Sequence, residues 1–167
     1  RPNGDLVAGG LFATAGGQWV GNVALWNGAS WSVLAVGVDN QVLALATMPN
    51  GDVVAGGDFT VASGVAASRL ARWDGLSWSA LGSGVDATVR ALAVRQNGDL
   101  VAGGDFLQAG GAPASRLATW DGALWSELAA GHQVATGRRQ QGAHRAAGAG
   151  GKFAPQRAIP RRQAARS

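Results

Sequence analysis

The chain repeats itself every 47 residues. Asn3-Gly4-Asp5 returns as Asn50-Gly51-Asp52 and as Asn97-Gly98-Asp99, and the same shift carries Gly9-Gly10 to Gly56-Gly57 and Gly103-Gly104. Phe12 maps onto Phe59 and Phe106, Trp26 onto Trp73 and Trp120, and Trp31 onto Trp78 and Trp125, with no insertion or deletion between them. Of the 35 columns from Asn3 to Gly37, 17 are identical in all three copies. Such a period marks one supersecondary unit stacked several times, each copy burying against its neighbour a face that it could not bury alone.

Turn chemistry says what the unit is. In the second copy Asp52 to Phe59, Ser68 to Trp73, Trp78 to Leu81 and, entering the next copy, Val89 to Val94 read as strands. They are separated by Asn50-Gly51, a Gly- and Ser-rich loop through Ser63-Gly64, Asp74-Gly75, and Gly82-Ser83-Gly84. Asn-Gly and Asp-Gly suit tight hairpins because they accept positive φ at little cost. With 27 Gly in 167 residues, helix is disfavoured, since each interior Gly costs roughly 1 kcal/mol. Four short antiparallel strands with local connections, at a period between the about 40–45 and about 50 residues of two known blade types, define a β-propeller blade. The expected fold is therefore all-β: three four-stranded repeats, delimited at about 3–49, 50–96 and 97–131 with the last incomplete, forming part of a larger propeller or array. Arg1 opens the chain and Met48 is its sole Met, so the natural start, with any signal peptide, is expected outside this window.

The repeated aromatics fit that architecture. Trp73 and Trp78 flank Asp74-Gly75-Leu76-Ser77, so closing that loop sets the two indoles against each other across a hairpin. The Gly-Gly pairs suit places where strands crowd together, because a bare backbone permits close approach. Packing between blades is the principal reading of both features, and ligand stacking by Trp the lesser one.

The run Gly56-Gly57-Asp58-Phe59, Arg69-Leu70-Ala71-Arg72-Trp73-Asp74-Gly75, Trp78-Ser79-Ala80-Leu81 resembles the kelch-type repeat of galactose-oxidase-like propellers, and more closely the kelch-like arrays of large bacterial secreted or surface proteins. The likeness covers residues 2 to 131. It implies kelch-like blades and a place outside the cell or at its surface. The Asp-Gly-x-x-Trp piece also resembles the Asp-box hairpin of sialidase propellers.

Chemistry is sparse. There is no Cys and no Tyr, and both His, His132 and His144, follow the repeats. This excludes a disulfide framework, a Cys-bound zinc and a thiol nucleophile. It also leaves residues 1 to 131 without the Tyr and His ligands of a galactose-oxidase copper site or the Tyr nucleophile of a sialidase. No calcium loop or paired-His spacing occurs. Gly148 to Lys152 is only superficially like a phosphate loop, since Ala146 and Phe153 replace residues it needs. No catalytic residue, cofactor or metal is therefore expected. The weak binding candidates are Asp58 and Asp105 with Arg69 and Arg116, each pair at one repeat position. They are read either as solvated edges and interblade ion pairs, or as a ring of alternating charge around a binding face.

Charge divides the chain in two. Residues 1 to 131 carry six Arg against all ten acidic residues, 6 − 10 = −4, whereas residues 132 to 167 carry seven Arg and Lys152 with no acid, +8. The basic balance thus belongs to a tail, and Phe153 is its only aromatic, so nucleic-acid binding is disfavoured. Gly150-Gly151-Lys152-Phe153 falls 47 residues after Gly103-Gly104-Asp105-Phe106, which fits a decayed or frame-shifted fourth repeat. A basic linker in which the motif recurs by accident is the other reading, and weak order is expected on either. No apolar run reaches the roughly 18 residues of a membrane span.

The expected function is a noncatalytic repeat module for protein or glycan binding, or a structural scaffold, in an exported protein, with self-association possible through exposed blade edges. The alternative is a piece of a carbohydrate-active propeller enzyme whose catalytic residues lie elsewhere.

Overall fold

The computed structural model describes residues 3–128, and everything regular in them is strand. The first sheet has three strands, β1 (Leu6–Gly9), β4 (Val23–Trp26) and β5 (Trp31–Val33), with a small hairpin of β2 (Thr14–Ala15) and β3 (Gln18–Trp19) between the first two. The second runs β6 (Val42–Thr47), β7 (Val53–Gly57), β10 (Leu70–Trp73) and β11 (Trp78–Ala80), interrupted by the hairpin β8 (Val61–Ala62) and β9 (Val65–Ala66). The third repeats this plan with β12 (Val89–Val94), β13 (Leu100–Gly104), β16 (Leu117–Trp120) and β17 (Trp125–Glu127), around the hairpin β14 (Gln108–Ala109) and β15 (Ala112–Pro113). Every pairing is antiparallel and each sheet is a meander of neighbours in sequence, the arrangement of propeller blades.

The sheets are out of phase with the repeats delimited at Asn3, Asn50 and Asn97. Val42–Thr47, at the end of the first repeat, is the first strand of the second sheet, and Val89–Val94 is the first strand of the third. The third sheet consequently has four strands and the first sheet three among the described residues. The basic tail, residues 132 to 167, lies outside the described residues.

The loop through Ser63-Gly64 is a hairpin. Ser63 and Gly64 both have positive φ, 46° and 83°, which matches a two-residue turn to the twist of its strands. Its counterparts use Gly16-Gly17 and Gly110-Gly111. Each later hairpin docks on the linker ahead of its own sheet, through the bridges Val38 to Ala62 and Val85 to Ala109.

Apolar side chains from adjacent sheets form two cores. Val23, Leu34 and Val42 meet Val53, Phe59 and Trp78 in one; Val54, Leu70 and Leu81 meet Val89, Phe106 and Trp125 in the other. Phe59 and Phe106 are fully enclosed. Because each core draws on two sheets, a blade cannot bury its own apolar face alone.

The Gly-Gly pairs work at two contacts. A Cβ on Gly56 would lie 2.6 Å from Val89 Cγ1 on the next sheet, and one on Gly57 would strike the carbonyl of Gln41 beside its own first strand. There the ladder slips a residue, between Val42 and Ala44. Only a residue without a side chain admits both approaches.

Candidate functional site

The four candidate residues come to one end of their sheets. Asp58 and Asp105 directly follow the Gly-Gly ends of β7 and β13, and Arg69 and Arg116 directly precede β10 and β16. The two Arg adopt left-handed backbone conformations, φ 69° and 66°, as does Asn22 at the same column of the first repeat, φ 66°. Backbone bonds over-determine that conformation. Arg69 N–H donates to the Phe59 carbonyl at 3.1 Å while its own carbonyl accepts from Gly57 at 3.1 Å, and Arg116 does the same with Phe106 and Gly104.

The side chains do not pair as Asp with the Arg of its own repeat. Asp58 accepts from Thr88 Oγ1 at 2.5 Å, a bond that ties the second sheet to the start of β12 on the third. Arg69 reaches the Asp58 backbone carbonyl through Nη1 at 3.2 Å, and its Nε is buried without a hydrogen bond. Asp105 is gripped by Arg90: Nε lies 3.0 and 2.9 Å from the two carboxylate oxygens and Nη2 lies 2.6 Å from Oδ2. Those bonds, opposed by desolvation and aided by the charges of Arg90 and Arg116, hold the Asp105 carboxyl below the usual range. They hold Arg90 above its own, with Asp58 adding to the effect. Both partners are largely exposed, so the pair is worth little to stability.

Arg90 was not singled out from the sequence. It interrupts an apolar strand, at the column where the previous repeat has Leu43, and that mismatch was the available signal. The first repeat also places Leu11 where Asp58 and Asp105 stand, so the charges occupy the second and third sheets and not the first.

The other carboxylates close turns. Asp39 caps the Thr60 and Val61 N–H groups at 2.8 and 2.9 Å, and Asp86 caps Leu107 and Gln108, both at 2.9 Å. Asp74 and Asp121 hold the tight turns between the Trp pairs through two N–H bonds each. For Asp86, Asp74 and Asp121 these N–H donors depress the carboxyl; for Asp39 partial burial opposes ionisation and the donors outweigh it. Carboxyls pulled down in this way are poor proton acceptors near neutrality. Among the described residues, no three His, Cys, Asp or Glu come together as metal ligands, and no helix is long and apolar enough to cross a membrane.

These blades define a protein of the β-propeller class. A family described as a domain of unknown function (DUF5122) beta-propeller matches residues 49–73, which take in β7, the β8–β9 hairpin and β10. No curated protein and no solved structure matches the chain.

Proposed function

We propose that the chain is a noncatalytic module of kelch-like blades that binds a protein or glycan surface and works outside the cell or at its surface. The observation that carries this is the delivery of Asp58, Thr88, Arg90, Asp105 and Arg116 to one end of adjacent sheets, where an extended partner would meet several polar groups at once. Asp39, Asp74, Asp86 and Asp121 are committed to turns and Asp105 to Arg90, which suits a scaffold better than a general base. The placement outside the cell is supported by the resemblance to secreted and surface arrays. β1 has a strand partner on one side only among the described residues, which supports self-association through that edge.

Screening the full chain on glycan and protein arrays, beside glycosidase and oxidase substrates, tests the reading. Retention of a glycan or a protein without turnover is expected. Turnover abolished by replacing one Asp would overturn it.

A further inference from the structure

At the opposite end of the strands, the second and third sheets part around a cleft of about 370 Å³, within the roughly 300–1,000 Å³ of small-molecule sites. Leu81 lines its apolar side, and Trp120 contributes an aromatic wall. Trp120 is half-buried: Trp125 packs on it with ring centroids 5.4 Å apart, and Gly82 lies close enough that a Cβ there would be 3.0 Å from its ring. The indole is thus held rigid from behind.

The polar side of the cleft is incompletely satisfied. Asp52 is buried and accepts from Asn50 Nδ2 at 2.8 Å. Arg72 approaches Asp52 only to 3.7 Å, too far for a hydrogen bond, and its side chain stays 49% exposed. The Arg72 guanidinium meets Asp52 at that distance and also acts through its charge on Asp74. Asn97 completes the rim from the third sheet. Nor does the blade require Arg72, since Leu25 and Thr119 occupy its column in the other repeats.

Resting on the reading of the chain as a binding module, we propose that this cleft holds a neutral sugar ring of a glycan chain. The C–H face of the ring lies on Trp120, and its hydroxyls accept from Arg72 and donate to Asp52. The opposite charges of Arg72 and Asp52 cancel, so a neutral ligand offering both donors and acceptors completes the site, whereas a charged one would have to separate the pair. An aromatic plane selects a ring with an apolar face.

The test is calorimetric titration of the full chain with cellohexaose, maltohexaose and N-acetylchitohexaose, followed in parallel by Trp fluorescence. One of them is expected to bind and to shift the Trp signal. Arg72→Leu, which installs the residue of the first repeat, is expected to weaken that binding roughly tenfold or more at an unchanged melting temperature. Trp120→Ala is expected to abolish it, and Arg72→Leu decides the matter if that variant fails to fold. Equal binding by Arg72→Leu overturns the assignment and leaves the module reading intact if arrays still retain a glycan. No binding of any of the three at millimolar concentration also overturns it, as does a protein captured through Arg72 in their place.

Discussion

The indole N–H of Trp78 donates to the backbone carbonyl of Leu34 on the preceding sheet, 2.9 Å away, and Trp125 repeats the bond to Leu81 at 2.8 Å. Each indole is also paired across its hairpin, Trp78 with Trp73 and Trp125 with Trp120, with centroids 5.4 Å apart. One side chain therefore closes a turn within a blade and latches that blade to its neighbour. Trp78 is 4% exposed, so Trp78→Ala is expected to cost about 3–5 kcal/mol. Trp78→Phe keeps most of the packing and loses the indole bond to the Leu34 carbonyl, which still accepts from Gly37 N–H at 3.0 Å, for about 0.5–1.5 kcal/mol. Denaturant titration of the three proteins checks this; a Phe variant as stable as the parent would remove the latch from the account.

A contrast at one repeat column isolates the interblade contact. Gly56 faces Val89 with no room for a methyl group, whereas among the described residues a Cβ on Gly103 would meet nothing nearer than Leu117 Cδ1 at 3.5 Å. Gly56→Ala is expected to destabilise by about 1–3 kcal/mol through overpacking. Gly103→Ala is expected to be neutral or to gain up to about 1 kcal/mol, because Ala has less freedom to lose on folding. Equal melting temperatures for the two variants would show that the column is not set by the neighbouring sheet.

Period, strand class and the Trp pairing could be read from the sequence because each rests on local chemistry. Asp74-Gly75 must turn, and once it turns Trp73 and Trp78 are opposite one another. Phase could not be read the same way. A 47-residue period looks identical wherever the count begins, and whether Val42–Thr47 joins the strand before or after it depends on hydrogen bonds to β7 that no local residue announces. The β8–β9 hairpin escaped because two-residue strands carry no periodicity. Of the site, the Asp and Arg columns were visible as repeats, but their partners were not. Thr88 and Arg90 reach Asp58 and Asp105 from 30 and 15 residues away. The cleft at Trp120 needs two sheets side by side before it exists.

Acid is expected to lower the stability of the blades through their hydrogen-bonded carboxylates. Asp39, Asp74, Asp86, Asp105, Asp121 and Glu127 all titrate lower in the folded chain than ordinary carboxyls. A group whose folded pKa is depressed contributes its stability in full above the unfolded value, near 4, and loses it as pH falls through the folded one. Stability should therefore decline below about pH 4. Asp86→Asn retains an oxygen to accept from Leu107 and Gln108 but removes the titration, so its decline should be shallower. Melting curves between acid and neutral pH measure both slopes, and a parent protein that gains stability on acidification would contradict the assignment.

Among the described residues β1 has a strand on one side only, and the chain is expected to associate through the other. Leu6 on that strand is 57% exposed and Leu11 just beyond it is 70% exposed, an apolar border along an edge with no strand partner among the described residues. In the second and third sheets the equivalent side is covered by β6 and β12, and the Leu11 column holds Asp58 and Asp105. A second chain can pair there at little cost, since an edge strand already has its backbone extended. Sedimentation velocity at increasing concentration should show dimers or larger species. The double variant Leu6→Lys, Leu11→Asp places one charge on the strand and restores the repeat residue beyond it, and should sediment as a monomer with its melting temperature nearly unchanged. A parent chain that stays monomeric at high concentration and unfolds cooperatively would show that the edge needs no partner.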